Sequence, residues 1–141
     1  MFTKKIVTLM CLIFSVVLLT GCNDSVNKSD DALSLLETEV YYLQKIRLPE
    51  GAKLEVRLED VSKMDVAAEV ISSAVRELKS SPPYALQIAF PSDQIKANHR
   101  YSLRASIRSG DELLFISTTH INPFEVGIAT PIKIKVDHVQ K

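Results

Sequence analysis

Polar and apolar residues alternate without a fault from Lys53 to Glu59, so Leu54, Val56 and Leu58 share one face of an extended chain. Tyr84, Leu86, Ile88 and Phe90 alternate in the same way. So do Tyr101, Leu103, Ala105 and Ile107, with Ser102, Arg104, Ser106 and Arg108 between them. Ile132, Ile134 and Val136 alternate with Lys133, Lys135 and Asp137. Leu113 to Thr119 is a mostly apolar run, strand-like in length and bounds, and Leu36 to Leu48 opens the series with Val40, Tyr41 and Tyr42. Turn residues fall between the runs: Pro49-Glu50-Gly51, Ser80-Ser81-Pro82-Pro83, Pro91-Ser92-Asp93, Ser109-Gly110-Asp111, Asn122-Pro123 and Pro131. The pattern predicts an all-β body, a small antiparallel β-sandwich of about seven strands. One segment breaks it. From Asp65 to Lys79 the apolar residues are Val66, Val70, Ile71, Ala74, Val75 and Leu78. That spacing suits a helix face as well as a bent strand, and periodicity alone favours the helix.

The N-terminus follows a different rule. Lys4 and Lys5 precede an apolar run, Ile6 to Leu19, broken only by Thr8 and Ser15. The run is shorter than the roughly 20 residues a membrane span needs, which is the pattern of a signal peptide. It ends in Leu19-Thr20-Gly21-Cys22, which resembles the bacterial lipobox. There the chain is cut before the cysteine and its thiol takes a diacylglycerol, a palmitate-type anchor to the membrane. Residues 1–21 are thus expected to be a lipoprotein signal peptide, with Cys11 discarded inside it and Cys22 the lipidated residue. Residues 22–34, polar after the cysteine, are expected to be a flexible tether with an r.m.s. reach of about 20 Å. The sandwich domain is expected over 35–141. Asn23 rather than Asp follows Cys22, which favours outer-membrane delivery facing the periplasm over inner-membrane retention, although Asp24 stands beside it.

Composition narrows the function. The whole chain carries 17 basic and 17 acidic residues, and loss of residues 1–21 leaves a net charge of −2. No basic excess points to nucleic acid. No cysteine lies beyond Cys22, so the body has neither a disulfide nor a thiolate metal site. His99, His120 and His138 are too far apart for a local metal motif, and no Gly-x-Ser-x-Gly elbow or phosphate-cradling glycine loop is present. The chain therefore reads as non-enzymatic, with no catalytic residue, metal ligand or cofactor to name.

An ordered series of segments carries a resemblance. Leu48-Pro49-Glu50-Gly51-Ala52, followed by Leu54 to Ser62 (LEVRLEDVS), resembles the opening of the YbaY/YscW family of small bacterial lipoproteins. Tyr84 to Phe90, Tyr101 to Ile107 (YSLRASI), and Leu113-Leu114-Phe115 with Thr118-Thr119 are similar to its later strands. The resemblance implies a small β-sandwich, with a strand in place of a helix over 66–79. Met64-Asp65-Val66-Ala67 and Lys79 to Pro83 depart from the family pattern and leave the helix open. The family includes pilot lipoproteins of type III secretion, which escort a secretin, a ring-shaped outer-membrane channel. The implied role is chaperone-like binding of another envelope protein, such as a secretin. The alternative is a structural lipoprotein associated with polysaccharide or peptidoglycan, weakened by the absence of Trp.

For an escort, exposed apolar residues matter most. Tyr41-Tyr42-Leu43 and Leu113 to Ile116 place large apolar residues on both faces of a strand. Tyr42, Leu114 and Ile116 are therefore candidates for a partner-binding surface, unless residues 122–130 or 66–79 cover them. Arg100, Arg104 and Arg108 would project from one strand face as a basic stripe. They either pair with acids such as Glu55 or Glu59, or face an anionic partner.

Overall fold

The computed structural model describes residues 32–140, so the expected signal peptide, Cys22 and most of the tether lie outside the described residues. Eight strands follow in chain order: β1 (Leu33–Tyr41), β2 (Lys53–Asp60), β3 (Glu69–Glu77), β4 (Tyr84–Pro91), β5 (Tyr101–Ser109), β6 (Glu112–Ile116), β7 (Ile132–Lys135) and β8 (Asp137–His138). They form two sheets, ordered β4-β1-β7 and β3-β2-β5-β6-β8. The all-β sandwich expected from alternation is the architecture found. It departs from purely antiparallel pairing in one place, because β7 runs parallel to β1.

The alternating faces meet as predicted. Leu54, Val56, Leu58, Leu103, Ile107 and Phe115 of the larger sheet pack against Val40, Ile88 and Ile134 of the smaller, all fully buried. Each such side chain contributes about 1.5–3 kcal/mol through removal from water. Polar residues between them face outward, and adjacent turns are set by residues suited to them; Gly51 and Gly110 both take positive φ.

The segment whose periodicity favoured a helix is strand β3 over Glu69–Glu77. Its pairing with β2 shifts between Leu58 and Glu59, where Ser72 and Val70 are the partners, so Ile71 is the extra residue of a bulge. The bulge puts Ile71 against the core directly beside the exposed Val70. Adjacent apolar residues and an exposed Val75 then mimic a helical spacing. A second bulge has the same effect in β6. Pairing with β5 jumps from Phe115 to Leu113, so Leu114 is the extra residue, and it packs against the core.

The sheets are joined along both sides. On one side Ser72 Oγ donates to Ala89 O (2.6 Å) and Arg76 donates to Ala85 O (2.7 Å), which covers the β4 edge with side chains of β3. On the other side the chain passes from β7 to β8 through Val136, whose N–H donates to Tyr41 O (2.9 Å). β1 also starts earlier than the tether boundary predicted. Ala32 O accepts from both the N–H and the hydroxyl of Ser92, which draws Leu33 and Ser34 into the sheet.

Strand directions give the sandwich two distinct ends. The N-terminal end of β1 shares one end with residues 61–68, 92–100 and 117–131. Residues 42–52, 78–83 and 110–111 form the other end. Strand rise puts the two ends of β1 roughly 26 Å apart.

Candidate partner-binding groove

The far end is built by two segments that leave the sheets without regular structure. β1 stops at Tyr41, and the next residue turns inward. The Tyr42 ring stacks on Phe115 with centroids 4.4 Å apart and tilts against Tyr84 at 6.4 Å. Its hydroxyl donates to Ile46 O (3.1 Å), which folds residues 43–46 back over the ring. Ala52 N donates to Pro49 O (3.3 Å) across the turn at Gly51, and Leu78 N donates to Ala52 O (2.8 Å). These bonds hold residues 42–51 opposite residues 77–82. Between them lies an open groove of about 910 Å³, with Tyr42, Leu78 and Tyr84 among its lining residues.

Two buried polar atoms belong to residues that line the groove. Tyr84 is only 1% exposed, and its hydroxyl lies against that of Tyr42. Gln44 Oε1 is buried and has no hydrogen-bond partner among the described residues. Burial pushes the Tyr84 phenol well above its ordinary pKa, with the Tyr42 hydroxyl adding to the shift, so it stays a neutral O–H donor. A buried polar group without a partner generally costs about 1–3 kcal/mol, which few native structures tolerate without a reason. Lys45, Arg47 and Lys79 line the groove against Glu50 and Glu77. Lys79 lies 3.9 Å from Glu77, while Lys45 and Arg47 have no ion pair among the described residues.

The residues singled out from the sequence do not form one surface. Tyr42 is 9% exposed, so the expected exposed patch there is corrected; its ring is needed by the Phe115 stack, and it meets the groove from below. Leu114 turns in at its bulge, and Ile116 is half-buried on the outer face opposite Ser106. What pairs β6 is β8, with Val139 N donating to Leu114 O (2.9 Å), rather than residues 122–130 or 66–79. Residues 122–130 instead close the other end of the sandwich, where Phe124 meets Phe90 and Tyr101 edge-on.

The arginine stripe is also divided. Arg57 and Arg104 stand directly opposite each other on β2 and β5. Glu59 relieves that repulsion, with Oε1 3.0 Å from Arg57 Nε and Oε2 3.1 Å from Arg104 Nε. Arg104 is thus engaged within its own sheet, as the pairing alternative anticipated. Arg108 donates to Asp111 O (3.4 Å) across the β5–β6 turn, and Arg100 lies before β5 begins, its N–H donating to Ser62 Oγ.

A second cleft, of about 660 Å³, lies at the end where β1 begins. There His99 Nδ1 is 2.5 Å from Asp60 Oδ2, and Ser62 N donates to Asp60 Oδ1 (2.8 Å). Burial alone would raise the Asp60 pKa. The hydrogen bonds from His99 and Ser62 outweigh it and bring the carboxyl down to about 2. The Ser62 hydroxyl accepts from Arg100 N (2.7 Å), so this cluster fastens residues 61–62 to 99–100.

The two-layer β domain thus carries its larger groove at the end remote from the start of β1. Residues 32–135 match the YscW family, described as the type III secretion system lipoprotein chaperone. That match takes in well over half of the chain, and the protein belongs to this family of lipoprotein chaperones. It is 35% identical over 81 residues to the uncharacterized lipoprotein YbaY of Escherichia coli K12, an alignment covering 57% of this chain. The chain spans only 43% of that protein's length. Among solved structures it is similar to an alternative pilotin from the type II secretion system of Vibrio cholerae. The identity is 32% and the TM-score 0.67, over 76% of this chain and 99% of that one.

The family and fold resemblance foreseen from the strand series are therefore correct. The sequence did not bring out the groove. Gln44, Tyr84 and residues 77–82 lie in separate segments, and only the joined ends of β1 and β4 bring them together. The one hint was Tyr84 opening a strand directly after Pro82-Pro83.

Proposed function

We propose that this protein is a pilot-like lipoprotein that holds a segment of another envelope protein, such as a secretin, at the outer membrane. The observation that carries the reading is the placement of the groove. It opens at the end of the sandwich opposite the start of β1, so a chain anchored through its N-terminus presents the groove away from the anchor. Residues 1–21 serve as the signal peptide, Cys22 carries the lipid, and the residues up to Asp31 form the tether. Acylation at Cys22 supplies location, and the sandwich supplies recognition. Confinement to the membrane surface raises the effective concentration of groove and partner without adding contacts. Membership of a chaperone family and likeness to a pilotin support the same reading over an enzymatic one.

The experiment is membrane fractionation on a density gradient, with the wild type, a deletion strain and Cys22→Ala. The expected result is wild-type protein in the outer-membrane fraction and Cys22→Ala in the soluble periplasmic fraction. In the deletion strain at least one outer-membrane protein should fall in level or move to the inner membrane. Unchanged outer-membrane proteins in the deletion strain would contradict the escort role.

A further inference from the structure

The end of the sandwich opposite the groove carries an excess of exposed apolar side chains. Ten large apolar side chains stand exposed among the described residues, and six of them are Leu33, Leu35, Met64, Val66, Phe124 and Val126. All six lie at the end where β1 starts, on β1 itself or in the connections 61–68 and 117–131. Single exposed apolar residues are ordinary on a protein surface, but a gathering at one end is not. Two of the tips are tight turns. Asp65, between Met64 and Val66, and Gly127, directly after Val126, take positive φ of 62° and 84°. Met64 is left 79% exposed and Val126 wholly so.

The chain itself says what lies nearest this end. Cys22 is ten positions before Ala32, whose carbonyl accepts from the Ser92 hydroxyl. Ten residues give an r.m.s. reach of about 16–19 Å. With a lipid on Cys22, the bilayer surface is held within that distance of the start of β1, whereas the groove lies at its far end, roughly 26 Å away. The apolar tips come from separate segments and project. A rigid partner needs a matching recess for them, while a fluid lipid layer adapts to them. A second copy offers no apolar recess at this end, since the cleft here is lined mainly by charged and polar side chains, among them Asp60, Lys63, Glu69, Asp93 and Lys96. Exposed Lys63, Lys96 and Arg100 stand among exposed Asp65, Glu69, Asp93 and Glu125, so charge neither drives nor forbids the approach. The acids limit its depth to the headgroup layer, where carboxylates keep their water.

We infer that the end at which β1 starts is a lipid-contact face, whose apolar tips enter the headgroup–acyl boundary of the bilayer that holds the Cys22 anchor. This rests on the anchor of the pilot-like reading and adds an orientation to it. The domain stands on the membrane by one end and turns its groove away. The contact is weak by itself and is occupied because the tether supplies the effective concentration.

The test uses the mature lipoprotein, reconstituted into vesicles of phosphatidylethanolamine with a minor share of phosphatidylglycerol. An acylated Cys22 has no free thiol and no cysteine follows it, so Met64→Cys, Val126→Cys or Leu43→Cys each takes a polarity-sensitive fluorophore at one place. All three positions are exposed, so the labels leave the core intact. Labels at Met64 and Val126 are expected to shift to the blue. Nitroxide lipids should quench them about fivefold more strongly than the label at Leu43, beside the groove. Leu33→Glu with Met64→Glu should return the Val126 label to the Leu43 level.

Labels at Met64 and Val126 no more quenched than that at Leu43, in an acylated protein, would overturn this inference and leave the anchor in place. Equal quenching at all three would do the same, as would a Val126 label indifferent to the two glutamates. A blue shift without quenching, with a dimer in sedimentation, would make the occupant a second copy. No acyl mass on Cys22 would remove the anchor, and with it both the pilot-like reading and this face.

Discussion

Asp60 ends β2 and holds two loops through one carboxylate, with His99 on Oδ2 and Ser62 N on Oδ1. Its pKa stands near 2 in the folded protein, below the ordinary 3.8. A depressed carboxylate contributes stability that is fully present above its unfolded value and is lost as pH falls through its folded value. Urea unfolding of wild type and Asp60→Asn should therefore differ most above about pH 4, with the wild type more stable. The gap should close between pH 4 and 2. A constant gap across that range would mean the residue matters for shape and not for charge. Nothing in the sequence distinguishes Asp60 from its acidic neighbour Glu59. The His99 partner lies 39 positions away and is brought close only by the pairing of β2 with β5.

The strands were legible where alternation was unbroken, as in β2, β4 and β5, because one buried face forces period two. They were illegible at Ile71 and Leu114, where a bulge inserts one residue and turns it inward. A sequence pattern cannot separate that extra apolar residue from the i, i+4 repeat of a helix. Tyr42 follows the rule instead: one position past the end of β1, it falls on the same face as the buried Thr38 and Val40.

Charge pairing between strands is a further property of elements. Arg57 and Arg104 face each other across β2 and β5, a repulsive placement made stable by Glu59 alone among the described contacts of the two guanidiniums. Glu59→Gln should lower stability by about 1–2 kcal/mol, because two partly exposed cations are left opposed. Arg108→Ala, at the exposed turn, should change it by less than about 0.5 kcal/mol. Equal effects from chemical unfolding of the two variants would show that the buried carboxylate is not what joins these strands.

At the scale of the whole molecule, the sandwich separates its two ends. One end carries the start of β1, the Asp60–His99 fastening and the Phe124 cap. The other carries the groove with Tyr84 and Gln44. The central claim is that location and recognition are separable. In the proposed function, lipid at Cys22 would give the address and the folded domain alone would recognise the partner. The direct measurement is affinity purification from detergent-solubilised envelopes with the wild type and with Cys22→Ala. One outer-membrane protein should come down in stoichiometric amount with both forms. Recovery of no protein, or of sacculi or glycan alone, would contradict the account.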